Sequence, residues 1–347
     1  MKILEKIVLS AFVIALSAMA PDLAEAQGRG GGGGGGGGKG GPPSGGGGDP
    51  VDPTLPPTFN WMHPDVELAF TQGITGVGSH VTILDSFSGT AISGNLDGTS
   101  QWRYHGGWVS YTTRLVAPGA EVTDLANPSG VEYGSDHITN HYAATSGVNV
   151  VNMSFGLFDP LDVVVDADYS LGTALWDSLV VEAHNPNGLA VFVKAAGNLN
   201  GQTVDAGTLN LGFPGEPHID NLNTLLIGAE NALFVGALEK NGTTKKKARI
   251  ASYSTIAGDN TAVQDMFLVA GVDSRKTGLQ GTSFAAPIVS GYAAMLGQKF
   301  GSATPDQIVD QLLLTARTDT ISGYSRAVHG QGEACLSCAL APTAIPD

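Results

Sequence analysis

Cysteine is nearly missing from this chain: 347 residues contain two, Cys335 and Cys338. That excludes a disulfide-built scaffold, and a zinc site of the four-cysteine kind lacks its second pair of ligands. Cations are also scarce, with 17 Lys and Arg against 32 Asp and Glu and a net charge of -15. Nucleic acid or an anionic membrane surface would meet net repulsion. The one basic run, Lys245-Lys246-Lys247, follows Asn241-Gly242 and is expected to be a solvated turn. Long apolar runs are missing too. The longest, Ile7 to Ala20, falls short of the roughly 20 residues that a spanning helix needs.

That run does have an expected role. Lys2 and Lys6 precede it and Ala24-Glu25-Ala26 follows, the order of an export signal, so cleavage is expected after Ala26. Residues 27–58 come next as a glycine-rich stretch ending in "DPVDPTLPPT", a composition that buries no core and makes a flexible tether stiffened by proline. One globular unit over residues 59–347 is expected to follow. Its composition, 42% hydrophobic and 14% charged, supplies a substantial core.

Short β-rich runs recur through that unit: "HVTILDS", "AEVTDLA", "VNVVNMSFG", "LAVFVKAAGN" and "ALFVGAL". Each is short and apolar enough to be buried on both faces. Helical patterns alternate with them: "HPDVELAFTQG", "HGGWVSYTTRLV", "SDHITNHYAATSG" and "DYSLGTALWDSLVVEAHNPNG". "TPDQIVDQLLLTA" comes last, with Thr304 as cap and Pro305 in the first turn. Alternation of this kind predicts the α/β class, a three-layer α/β/α arrangement around a mostly parallel sheet.

Functional groups in such sheets collect at the carboxyl ends of strands. Asp85 ends "VTILD", Ser154 ends "VNVVNMS" and Asn198 ends "VFVKAAGN", while His105 and Ser283 open helical patterns. An activated serine needs a base, a carboxylate to orient that base, and donors for the developing oxyanion. The chain holds one residue for each role. Each also has a plain structural reading: Asp85 capping a turn, His105 and Ser283 capping helices.

The order of these segments resembles the subtilisin-like serine proteases. "GTSFAAPIVSGYAAML" resembles the nucleophile motif and its buried helix, "GITGVGSHVTILD" the aspartate strand with its glycine-rich lead-in, and "HGGWVS" with "VAPGAEV" the histidine helix and following turn. "VVNMSFG" is similar to the substrate-binding strand and "VKAAGN" to the oxyanion segment; "FVGAL", "ASYST", "TPDQIVDQLLLTA" and "GQGEACLSCAL" follow in order. Together the matches run from about Asn60 to Leu340. The resemblance implies Asp85 as orienting carboxylate, His105 as general base and then acid, Ser283 as nucleophile and Asn198 as oxyanion donor. It also implies that Ser154, Phe155 and Gly156 pair with an extended substrate and that Ala195, Ala196 and Gly197 line the primary specificity pocket. Neither segment carries a charge, which suggests an uncharged residue before the cut bond.

Three departures stand out. Phe87 replaces the usual glycine after Asp85-Ser86, Gly107-Trp108 replaces Thr-His after His105-Gly106, and "LVAGV" lacks a proline. Phe87 and Trp108 would narrow the cleft if they faced it. No cofactor is required for the implied chemistry, and no contiguous acidic calcium loop is readable. The expected product is an exported monomeric endopeptidase, periplasmic or secreted, without a transmembrane anchor and with polypeptide substrates. Cys335 and Cys338 are expected to close a local disulfide. An esterase of the Gly-x-Ser-x-Gly type is disfavoured because Ala285 stands where the second glycine belongs. In "HITNH", His137 and His141 lack a metalloprotease glutamate, since Ile138 holds its place. A catalytically inactive peptide-binding relative remains the rival reading.

Overall fold

A computed structural model describes residues 55–126, 147–160, 174–205 and 218–345. The export signal, most of the tether, the "SDHITNHYAATSG" pattern with His137 and His141, and the start of "DYSLGTALWDSLVVEAHNPNG" lie outside the described residues.

In chain order the strands are β1 (His80–Asp85), β2 (Ile92–Gly94), β3 (Gln101–Arg103), β4 (Glu121–Ala126), β5 (Asn149–Met153), β6 (Phe158–Pro160), β7 (Ala190–Ala195), β8 (His218–Asp220), β9 (Ala232–Leu238) and β10 (Phe267–Gly271). Six of them form one sheet in the order β10-β9-β7-β5-β1-β4, and every pairing in it is parallel. The two pairs β2-β3 and β6-β8 are antiparallel. The main helices are α1 (Pro64–Thr71), α2 (His105–Val116), α3 (Ala174–Ala183), α4 (Asn221–Leu226), α5 (Ala286–Lys299), α6 (Pro305–Leu314) and α7 (Leu336–Ala339).

The expected three layers are present. On one face, Val81, Ile83, Val150, Val193 and Val235 pack against residues of α1, α2, α5 and α6, with Val109, Val289 and Tyr292 among them. On the other, Val151, Phe192, Phe234 and Phe267 meet Trp176 and Leu179 of α3 and Leu222 and Leu226 of α4. Covering both faces explains why these strands read as unbroken apolar runs. Each fully buried aliphatic side chain contributes about 1.5–3 kcal/mol of transfer free energy.

α5 is the central helix, buried from Ala286 to Gly297. Its small residues permit close packing: a Cβ on Gly291 would meet Val116 of α2 at 2.6 Å. α6 begins as expected, with Pro305 in its first turn and the Thr304 N–H donating to Gln307 Oε1 at 3.0 Å. Lys245, Lys246 and Lys247 are exposed. Among the described residues no helix is long and apolar enough to cross a membrane.

Within the six-stranded sheet, β10 is the strand that the β-rich runs did not mark, because "FLVAG" follows a short helix without a turn signal of its own. Parallel pairing with β9 settles it, and the ladder runs on through Ala270 and Gly271 of the proline-free "LVAGV", opposite Ala237 and Leu238.

Candidate active site

The carboxyl ends of three neighbouring strands, β1, β5 and β7, present Asp85, Ser154 and Asn198 along one edge of the sheet. Opposite that edge the chain enters α5 through a turn of 3-10 helix, Thr282–Phe284, which carries Ser283.

Asp85 and His105 meet directly: the ring Nδ1 lies 2.7 Å from Asp85 Oδ1. The carboxylate is 1% exposed and the histidine 8%. Asp85 Oδ1 also accepts the Ser86 N–H at 2.6 Å. Asp85 thus both caps a turn and holds an imidazole. His105 caps nothing, since it is the first residue of α2 and Tyr104 occupies the cap position without a side-chain bond. The Gly106 N–H donates to the Ser86 carbonyl at 2.8 Å, and a Cβ at Gly106 would meet that oxygen at 2.8 Å. Glycine after the histidine is therefore what lets α2 approach β1 closely enough for the 2.7 Å contact.

Ser283 caps nothing either. α5 begins at Ala286 without a side-chain cap, and the Ser283 hydroxyl donates to the Ser154 carbonyl at 3.1 Å. The Ser154 hydroxyl returns a bond to the Ser283 carbonyl at 3.0 Å and accepts from Asn152 Nδ2 at 2.9 Å. Asn152 in turn accepts from the Ser290 hydroxyl of α5. This ladder clamps the Ser283 turn onto β5. The ring of Phe284, next in sequence, packs 5.6 Å from the His105 ring, so the turn that carries Ser283 comes up to α2 beside the histidine.

Asn198 faces the same turn. Its Oδ1 accepts the Thr282 N–H at 2.8 Å and the Thr282 hydroxyl at 3.1 Å. With the oxygen so engaged, the carboxamide nitrogen is the end left for another acceptor, and it lies 3.3 Å from where a Cβ on Gly281 would stand. Gly281 has φ +136°, so a side chain there would be both strained and in the way. Thr282 escaped the sequence reading, although it joins Asn198 to the Gly197 N–H, which donates to its hydroxyl at 3.1 Å. Burial pushes the nearby Tyr253 hydroxyl up to about 12, with a backbone bond from Gly281 acting the other way.

Ala195 and Ala196 are buried, and Gly197 turns the chain at φ +117° with its carbonyl accepting from the Thr255 N–H at 3.0 Å. Beneath this segment lies a feature the sequence reading passed over. Lys194, the one charge in β7, is 1% exposed, and its ammonium donates to the Ala195 carbonyl at 2.8 Å and to Asp220 Oδ2 at 3.3 Å. Burial pushes the Lys194 ammonium below the ordinary lysine value while Asp220 pulls it back. The signal was present in "VFVKAAGN", a lone lysine in a strand otherwise built for burial on both faces.

Trp108 does not narrow the cleft. It is 0% exposed, sunk in the core with its indole N–H on the Ile92 carbonyl at 2.9 Å. Phe87 is half-buried and packs on the same core beside Gly106. Cys335 and Cys338 are joined in a disulfide at the start of α7. Among the described residues no three His, Cys, Asp or Glu side chains cluster as a metal site would require.

A parallel α/β/α sheet that brings an aspartate–histidine pair beside a serine at its carboxyl edge has the constellation of nucleophilic serine chemistry. A model of the subtilase family matches residues 87–333, and the chain belongs to that family. Asp85 lies two residues before the match and is joined to the site by its bond to His105. Mycosin-1 of Mycobacterium tuberculosis is 30% identical over 186 residues, 51% of this chain and 40% of that protein. Alkaline elastase YaB of a Bacillus species is 27% identical over 275 residues, 72% of this chain and 62% of that protein. The chain thus spans less than two thirds of either relative. The crystal structure of MycP1 with its N-terminal propeptide removed shares the fold, with a TM-score of 0.51 and 20% identity over 83% of this chain and 99% of that one.

Proposed function

We propose that this chain is an exported serine endopeptidase that cuts peptide bonds through an acyl-enzyme. In this reading Ser283 Oγ attacks the scissile carbonyl and His105 takes its proton at Nε2, later passing it to the leaving amine. Asp85 holds the imidazole by Nδ1 and stabilises its cation. Asn198 Nδ2 donates to the oxyanion. The backbone of Ser154, Phe155 and Gly156 takes the substrate as an added strand, and Ala195, Ala196 and Gly197 bound the side chain before the cut bond.

The observation that carries this reading is the 2.7 Å His105–Asp85 bond beside a serine that caps no helix. Before reaction the Ser283 hydroxyl must leave the Ser154 carbonyl and turn to His105. Hydrogen bonds of this kind commonly tighten only when substrate is bound. The test is labelling of the purified protein with a fluorophosphonate probe, alongside Ser283→Ala and His105→Ala. Labelling is expected in the wild type and lost in both variants, with their circular dichroism unchanged. A folded wild type that takes no label refutes the proposal. Export is part of it, and N-terminal sequencing of the mature protein should begin at Gln27.

One observation favours a second reading, a relative that binds peptides without cutting them: the Ser283 hydroxyl is bonded to Ser154 rather than to His105. In that case Ser283→Ala leaves peptide affinity unchanged and no label is taken.

A further inference from the structure

We propose that the buried Lys194–Asp220 ion pair is the charge-neutral backing of the primary specificity pocket, and that it is what makes the pocket accept an uncharged side chain before the cut bond. The inference rests on the proteolytic reading of the cleft between residues 154–156 and 195–197.

Three polar side chains hold both walls of that cleft from behind. Asp220 Oδ1 accepts the Leu157 N–H at 3.0 Å, directly after the Ser154-Phe155-Gly156 wall. Lys194 Nζ donates to the carbonyl of Ala195 at 2.8 Å, and Asn223 Nδ2 to that of Ala196 at 3.1 Å, both on the opposite wall. The two walls are joined through the 3.3 Å contact of Lys194 with Asp220 Oδ2. That carboxylate oxygen presses on Gly156: a Cβ there would stand 2.5 Å from it and 2.6 Å from the Phe158 ring. Gly156 has no side chain to screen the carboxylate, so a group in the cleft is separated from Asp220 by one glycine.

With Lys194 1% and Asp220 4% exposed, the pair is shielded from water, and its charges cancel as long as both are present. A cationic or anionic substrate side chain then gains nothing from the backing to offset its desolvation. Removing one member leaves an ionisable group buried without its counter-ion, and a substrate side chain of opposite charge can supply it. Unlike charges roughly 6 Å apart in such surroundings attract enough to shift selectivity by about tenfold or more.

The experiment compares kcat/KM for two peptides that differ only in Lys or Glu before the cut bond, with an Ala peptide as reference. Asp220→Asn keeps an acceptor for the Leu157 N–H and is expected to raise the Glu/Lys ratio about tenfold. Lys194→Met should lower it by a similar factor, and the double variant K194M/D220N should restore the wild-type ratio. If one single variant does not fold, the other decides alone, since each has a predicted sign. Fluorophosphonate labelling of every variant reports the Ser283 nucleophile independently of the pocket. Labelled variants whose Glu/Lys ratio stays at the wild-type value overturn the inference while leaving the protease reading intact. A folded wild type that takes no label overturns both.

Discussion

Consider Asp85→Asn, which removes one charge and almost no volume. Asp85 Oδ1 is fixed by two donors, the Ser86 N–H at 2.6 Å and His105 Nδ1 at 2.7 Å. The Ser86 N–H belongs to the backbone and cannot become an acceptor, so it selects the amide rotamer that keeps oxygen at that position. His105 therefore retains its Nδ1 proton, and the tautomer that leaves Nε2 free to accept from Ser283 is preserved. What is lost is the charge that stabilises the imidazolium as it forms. Opposite charges about 4 Å apart at an effective dielectric constant of about 20 attract by roughly 4 kcal/mol, which corresponds to about 10³ in rate. The amide nitrogen falls where Asp85 Oδ2 now lies, a buried atom without a hydrogen-bond partner among the described residues, so a stability cost of about 1–3 kcal/mol is added. The assay is kcat/KM on a fluorogenic peptide together with thermal unfolding of both proteins. A folded Asp85→Asn protein that loses less than tenfold in kcat/KM would refute the assignment of Asp85 as the electrostatic partner of His105.

Asn198→Ala should lower kcat by about 10²–10³ with KM little changed, the effect of one lost oxyanion donor; a change confined to KM would assign Asn198 to binding instead. Burial works against the Asp65 carboxylate, but His63, the Ser337 N–H and Arg317 outweigh it and hold its pKa down at about 2. A carboxyl held below its unfolded value contributes stability that is whole above pH about 4 and disappears as the pH falls through 2, here about 2 kcal/mol. Thermal melts between pH 5 and 2 should show that loss in the wild type and not in Asp65→Asn; parallel curves would rule the contribution out. Breaking the Cys335–Cys338 disulfide with Cys335→Ser/Cys338→Ser opens a very short loop, and the chain-entropy model assigns it only about 2 kcal/mol. Reductant should lower the wild-type Tm by a few degrees without touching the labelling rate, and a larger collapse would mean that α7 is held by this bond rather than by Leu336 and Ala339 in the core.

The layers and the order of the chemical groups can be read from the chain alone. β1, β5, β7 and β9 are apolar over short lengths because each is buried on two faces, so their composition alone announces a parallel sheet. β4, expected to be buried in the same way, is instead the edge strand, with Glu121, Thr123 and Asp124 among its polar residues and only Val122 buried. Asp85, His105, Asn198 and Ser283 stand where local signals end, at a strand terminus or a helix entrance, and such positions can be read from one stretch of chain. Tertiary structure decided everything that depends on direction or on distant partners. Trp108 beside the histidine reads equally well as a cleft wall or as core, and only the rotation of α2 against β1 turns it inward. The plain capping readings of His105 and Ser283 fell because Tyr104 holds the cap position of α2 and because α5 starts three residues after the serine. Lys194 and Asp220 are separated by 26 positions, and no local pattern tells a buried lysine where its counter-ion is. Periodicity reports which face is buried; a partner is chosen by the packing of elements far apart in the chain, and that choice exists only once the sheet has closed.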